Sequence, residues 1–335
     1  MSNEDYYDIT VVGGGPVGLF AATYACMRQA KTQIIESLDK LGGQVTNLFP
    51  AKKIYDIPAF SSIKGNALIN ELVQQVQQFA PQIFLNEKVQ EISKTASGFK
   101  LVTNLRTTYS RTIIIATGVG AFQPRKLALP NANSFENQQL LYSISDPQKF
   151  ANKDVMIAGG GGDSAVDWAL ELAPFAKTLH IVHRRSKFRA LEANVARLHE
   201  TQTIFDTPYL ITDLQKGADT KIKVTLKKVK EDSTTQLRAD YLLVNYGFVT
   251  DTKILQDWNL ETQHNLLQVS PNMQTSTPGI YAAGDIIDYA GRVNLIATGF
   301  GEAPIAVNSA MHYLNPDLRQ PAHSTQLIKK FPKIK

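Results

Sequence analysis

With one cysteine, Cys26, in 335 residues, the chain can close no internal disulfide, and it has no Cys-x-x-Cys pair for dithiol exchange. Cys26 lies in the apolar stretch Phe20 to Met27, where a small buried hydrophobe is expected rather than a nucleophile. Zinc-ligand spacing, an RNA-binding aromatic signature and a long basic tract are missing as well, which argues against nucleic acid as the partner behind a net charge of +5. No low-complexity tract interrupts a globular composition of 43% hydrophobic and 19% charged residues, and the length suffices for two domains. Residues 9 to 27 carry no charge, but four glycines and a proline punctuate them. Glu4, Asp5 and Asp8 precede the run where a signal peptide would be basic. The expectation is a cytoplasmic protein with no membrane partner, whose charge suits an acidic one.

Two glycine fingerprints with matching lead-ins are present instead. Asp8-Ile9-Thr10-Val11-Val12 runs into Gly13-Gly14-Gly15-Pro16-Val17-Gly18, and Val155-Met156-Ile157-Ala158 runs into Gly159-Gly160-Gly161-Gly162-Asp163-Ser164-Ala165. Each reads as a buried strand, a tight turn and a helix start, so that backbone N–H groups and the helix dipole can hold a diphosphate. Glu36 stands 23 residues after Gly13, at the end of an apolar run, where a carboxylate can accept ribose hydroxyl hydrogen bonds. The same count from Gly160 reaches His183, followed by Arg184, Arg185, Lys187 and Arg189. Guanidiniums bind a ribose phosphate that a carboxylate would repel. The first site therefore suits FAD and the second NADPH.

Apolar residues at helical spacing from Ala67 to Ala80 predict a helix packed on a sheet, and Thr112 to Ala116 closes the first region as a strand. Residues 121 to 140 read as a connector, and Ile222 to Val229 and Tyr241 to Val244 as strands. Thr277 to Asp285 is an apolar strand ending in Gly-Asp, and a helix is expected from Gly299 through Leu314. The expected organisation is α/β, with two Rossmann-like nucleotide-binding domains: a discontinuous FAD-binding domain of residues 1–120 and 249–335, and an NADPH-binding domain of residues 121–248.

Six ordered motifs, Gly13 to Gly18, Leu41-Gly42-Gly43-Gln44, Ala116-Thr117-Gly118, Gly160 to Ala165, His183-Arg184-Arg185 with Phe188-Arg189-Ala190, and Ala282-Ala283-Gly284-Asp285, resemble the low-molecular-weight thioredoxin reductase architecture over nearly the whole chain. Where such reductases carry Cys-x-x-Cys, this chain reads Gln139-Leu140-Leu141-Tyr142-Ser143-Ile144-Ser145. Without a thiolate to attack, disulfide reduction by that route is excluded. The sulfur-free branch that the chain resembles is the thioredoxin-reductase-like ferredoxin (flavodoxin)-NADP reductase. Asn294 to Pro304, Val244 to Phe248 and Gln320-Pro321-Ala322-His323-Ser324-Thr325 carry that resemblance.

The resemblance implies a homodimer in which the C-terminal extension folds over the partner subunit's flavin. It places His323 on one ring face and an N-terminal aromatic, here Phe49 where tyrosine is common, on the other. By residue type alone, Phe49 reads as a core position and His323 as a surface-loop histidine, and only the resemblance reverses those readings. For FAD the resemblance implies Gly13, Gly15, Pro16, Gly18, Glu36, Gly43, Gln44, Asp56, Gly118, Phe122, Asp285 and Thr325, with Val89 meeting the adenine through its backbone. For NADPH it implies Gly160, Gly162, Asp163, Ser164, Ala165, His183, Arg184, Arg185 and Arg189. No general acid or base and no metal is expected. The implied activity is hydride transfer between NADPH and FAD, and single-electron transfer to ferredoxin or flavodoxin. An NADPH oxidase or diaphorase acting on quinone or oxygen, and a non-catalytic flavin redox sensor, are the rival readings.

Overall fold

The apolar run after Asp8 becomes the strand Tyr6–Val12 at the centre of a parallel sheet, hydrogen-bonded to Thr32–Ile35 on one side and Thr107–Ile115 on the other. Val11 lies opposite both Ile34 and Ile114, and all three are fully buried. A parallel strand covered on both faces needs such a continuous apolar run rather than alternation. The computed structural model describes residues 5–144, 146–159, 161–217, 219–251, 255 and 257–318. Gly160, His323 and Thr325 lie outside them.

Gln82–Phe84 extends this sheet beyond Thr32–Ile35, while Gly98–Thr103 and Val89–Thr95 continue it as an antiparallel hairpin from Thr107–Ile115. The late strand Ile280–Ala282 also joins Thr107–Ile115 in parallel, with Ile280 opposite Ile113. The helix Pro16–Met27 starts on a proline, whose missing N–H has no helical acceptor to lose at that position. It packs against the helices Gly65–Gln77 and Ile296–Leu314 and buries Leu19, Ala21, Ala22 and Ala25 completely. Enclosure within the domain thus accounts for the uncharged stretch. Among the described residues no helix is long and apolar enough to cross a membrane.

A second, five-stranded parallel sheet has the order Leu140–Leu141, Tyr241–Asn245, Asp154–Gly159, Thr178–Val182, Ile204–Asp206. The helices Asp163–Leu172 and Glu192–His199 follow its second glycine turn and the arginine cluster, respectively. Tyr209–Lys216, Ile222–Lys228 and Thr234–Ala239 form a separate antiparallel meander. Its last strand, Thr-Thr-Gln-Leu-Arg-Ala, is mostly exposed and carries no apolar alternation, so only pairing with its neighbour reveals it. The C-terminal helix begins at Ile296, almost one turn before the expected Gly299.

The chain divides into two compact units. One comprises Met1–Asn47, Lys53–Ala121 and Thr250–Lys335, and the other Leu48–Lys52 and Phe122–Val249. Each unit thus contains parallel strands with a glycine turn leading into a helix, the α/β organisation expected of two Rossmann-like domains.

Candidate functional site

The first glycine turn has little freedom. Gly13 has φ +108°, and a Cβ there would lie 2.5 Å from the Ala116 carbonyl oxygen. A Cβ on Gly18 would lie 1.9 Å from the Gly13 carbonyl oxygen, because the helix crosses close over the strand end. At Gly15, by contrast, a Cβ would meet nothing within 4 Å. A closed turn with an open rim at the start of a helix is a cradle of the kind a diphosphate requires.

Glu36 closes the adjacent side. It is only 5% exposed, and its Oε2 accepts the Gly14 N–H at 2.6 Å while Oε1 accepts the Leu38 N–H at 2.9 Å and the Ser37 hydroxyl at 3.2 Å. A carboxylate has about four acceptor directions. Three are used by the protein, leaving one open to a further donor.

Around the rim, Gly42 donates its N–H to the Gly14 carbonyl at 2.8 Å, and a Cβ on Gly43 would stand 3.3 Å from Gly15 Cα. Half-buried Gln44 faces Gly118, whose φ of +59° places an added Cβ 3.5 Å from the Gln44 Nε2. Val89 is buried at the start of its strand, whereas Asp56 is exposed. Asp285 follows Gly284 with its side chain 43% exposed. The first unit therefore brings together Gly13, Gly15, Pro16, Gly18, Glu36, Gly43, Gln44 and Gly118. Phe49 and Phe122 fall in the second unit, where the Lys52 ammonium lies 5.4 Å from the Phe49 ring centre and pairs with Asp167 at 2.6 Å.

Two further candidates, Glu302 and Arg292, meet behind the Gly284-Asp285 turn. Glu302, 2% exposed on the C-terminal helix, accepts the Gly284 N–H at 2.7 Å and the Nε–H of Arg292 at 2.8 Å. A lone acidic residue inside the apolar run Ile296 to Val307 was the signal available.

In the second unit, a Cβ on Gly159 would collide with Ala165 at 2.2 Å, and one on Gly161, with φ +72°, would fall 2.5 Å from the His183 Nε2. A Cβ on Gly162 would meet open space, repeating the pattern of Gly15. His183 is buried, and its Nδ1–H donates to the Gly159 carbonyl at 2.9 Å, so it braces the turn from within the fold. Burial, the main cause, holds the imidazole below its ordinary pKa, and the neighbouring Arg184 and Arg185 push the same way.

Arg184, Arg185, Lys187 and Arg189 follow on the exposed segment. That segment is tied back to the glycine turn where the Gly161 carbonyl accepts the Arg189 N–H at 2.6 Å and the Ala190 N–H at 3.0 Å. Asp163 adds a third tie by accepting the Leu191 N–H at 2.9 Å. Four cations are thus carried on a loop anchored to the start of the helix Asp163–Leu172, which Asp163, Ser164 and Ala165 form. Such an arrangement can bind a ribose phosphate by charge-assisted hydrogen bonds.

Among the described residues no cluster of His, Cys, Asp and Glu could hold a metal ion. The single thiol, Cys26, is half-buried and pushed above its ordinary pKa by burial. No redox-active sulfur pair accompanies either glycine turn.

Residues 7–310 match the family model for pyridine nucleotide-disulphide oxidoreductases. The chain is 49% identical over 334 residues to a Ligilactobacillus salivarius protein named ferredoxin–NADP reductase, covering 98% of each. It is 50% identical over 325 residues to ferredoxin–NADP reductase 2 of Bacillus subtilis, covering 96% of this chain and 97% of that protein. Among solved structures it is similar to Lactococcus lactis thioredoxin reductase in its FR conformation, with TM-score 0.78 and 27% identity over 92% of this chain and 99% of the other. A family match over residues 7–310 spans both glycine turns, and the chain belongs to the pyridine nucleotide-disulphide oxidoreductases.

Proposed function

We propose that the chain is a flavoenzyme of the ferredoxin (flavodoxin)-NADP reductase type, moving hydride between NADPH and FAD and single electrons between FAD and a small acidic redox protein. One observation carries this reading: a two-nucleotide oxidoreductase fold without its dithiol. Where thioredoxin reductases place their cysteine pair, Leu140–Leu141 forms an edge strand of the second sheet, and Cys26 lies on a helix of the first unit. The near-full-length similarity to proteins named ferredoxin–NADP reductase supports the same conclusion.

FAD, when bound, supplies the ability to take two electrons as hydride and release them one at a time. The protein binds and orients. Gly13, Gly15, Pro16 and Gly18 would cradle the FAD diphosphate, Glu36 its ribose, and Gln44, Gly118 and Asp285 the flavin side, with Gly43, Asp56, Val89 and Phe122 as further contacts. Gly160, Gly162, Asp163, Ser164 and Ala165 would receive the NADPH diphosphate, and Arg184, Arg185 and Arg189 its 2′-phosphate. His183 acts from inside the turn. Phe49, and in a homodimer His323 and Thr325, would flank the flavin in the family's manner. The acidic acceptor fits the chain's positive net charge, and the cell compartment is the cytoplasm.

Anaerobic stopped-flow mixing tests this. NADPH should bleach the protein's yellow colour, and oxidised ferredoxin or flavodoxin should restore it in one-electron steps, while thioredoxin disulfide should not. Faster reoxidation by quinone or oxygen than by any one-electron carrier would instead identify a diaphorase, and binding without turnover a sensor.

A further inference from the structure

Arg292 and Glu302 form the most deeply buried ion pair among the described residues, with side chains 1% and 3% exposed and a 2.8 Å Nε to Oε1 contact. Removing two charges from water is costly, and replacing a buried ion pair by a packed hydrophobic pair of similar volume is often neutral or stabilising. What an apolar pair could not do is hold polar groups in place. Glu302 Oε2 accepts the Gly284 N–H at 2.7 Å, and Oε1 accepts the Tyr289 hydroxyl at 3.0 Å as well as Arg292 Nε. Burial first, then the carboxylate beside it, pushes the Tyr289 phenol above its ordinary pKa, so it remains a donor.

The gripped segment is the one that presents Asp285. Gly284 sits at φ +81° between Glu302 and Val17, and an added Cβ would be 3.2 Å from the Val17 Cγ2. Val17 belongs to the helix that leaves the first glycine turn, and Gly299 passes it so closely that a Cβ there would lie 2.4 Å away. Arg292 reaches outward from the pair. Its Nη2 lies 3.4 Å from Glu302 Oε2 and 3.5 Å from Asp285 Oδ1, and its Nη1 donates to Asn294. One guanidinium therefore bridges an enclosed carboxylate and an open one.

We propose that Arg292 and Glu302 are positioning residues for FAD. They hold the Gly284-Asp285 turn so that the Asp285 carboxylate can accept hydrogen bonds from hydroxyls on the flavin's sugar-alcohol chain. Arg292 also offsets the repulsion between that carboxylate and the diphosphate. The proposal rests on Asp285 being an FAD residue, as read above.

Its test is the rate of FAD release from diluted holoenzyme, followed by the return of free-flavin fluorescence, alongside thermal melting of the FAD-free protein. Glu302→Gln and Arg292→Met should release FAD at least about tenfold faster, and Arg292→Lys, which keeps the charge but not the guanidinium fork, should release it faster than the parent and no faster than Arg292→Met. Asp285→Asn/Glu302→Gln should release FAD no faster than Asp285→Asn alone, because Glu302 acts through Asp285. Multiplying effects in that double variant, or lowered melting with unchanged release, would overturn the proposal. If Glu302→Gln does not fold, Asp285→Asn/Arg292→Met decides in its place, and release faster than from Asp285→Asn alone overturns the proposal. Unchanged release from Asp285→Asn would remove the assignment of Asp285 itself, and the proposal with it.

Discussion

The His183 imidazole lies against Gly161: its Nε2 is 2.5 Å from where a Cβ on that glycine would be, while its Nδ1–H holds the Gly159 carbonyl. A histidine after the second strand and a glycine in the turn before the helix are thus one structural unit. Gly161→Ala would drive a methyl group into a ring that is buried and cannot retreat, at a φ that alanine rarely adopts. The expected result is loss of NADPH binding with FAD retained. Titration of the oxidised holoenzyme with NADP, read in the flavin spectrum, checks this.

The exposed arginines should decide between the two nicotinamide cofactors. A hydrogen bond to a charged group contributes about 1.5 to 3 kcal/mol, so Arg184→Ala or Arg185→Ala should raise the KM for NADPH by about ten- to hundredfold. NADH lacks the 2′-phosphate, and its kinetics should be little changed. Equal losses with both cofactors would show that these side chains do not meet the phosphate.

Acid should weaken the second unit through His183. The unfolded chain takes up a proton on this residue near pH 6.5, roughly its unperturbed value. The folded state, with the histidine pKa lowered chiefly by burial, resists protonation until lower pH. The unfolded state then binds more protons, so stability is present above about pH 6.5 and falls as pH drops through the window below it. His183→Asn keeps an N–H donor but cannot titrate. Its melting temperature should change less between pH 7.5 and 5.5 (roughly one unit either side of the unperturbed value) than that of the parent, and matching slopes would count against this account.

Cys26→Ser should retain electron transfer from NADPH to ferredoxin or to a dye. Burial raises the thiol's pKa, which disfavours the thiolate that any covalent sulfur step needs. Steady-state turnover of the FAD-loaded variant, compared with the parent per mole of flavin, is the measurement. Abolished turnover with FAD still bound would reveal a sulfur step.

The sequence alone was enough for the features that repeat or that local chemistry dictates. The two strand-glycine-helix units, the acid after one and the arginines after the other, and the missing dithiol are short-range patterns. Each depends on neighbours within about 25 residues, so each can be read before the chain is folded. Tertiary structure decided what depends on distant partners. The uncharged run of residues 9 to 27 is apolar because a sheet and two helices enclose it, one of them from the last 40 residues of the chain. The polar strand Thr234–Ala239 exists through pairing with Ile222–Lys228 rather than through any apolar alternation of its own. His183 reads as part of a basic cluster in sequence, yet the fold turns it inward under the glycines while Arg184 and Arg185 remain outside. Glu302 and Arg292 are ten residues apart and look unrelated until the C-terminal helix packs against Val17 and brings both charges to the back of the Gly284-Asp285 turn. A buried charge takes its meaning from the groups that satisfy it, and only the folded chain selects those groups.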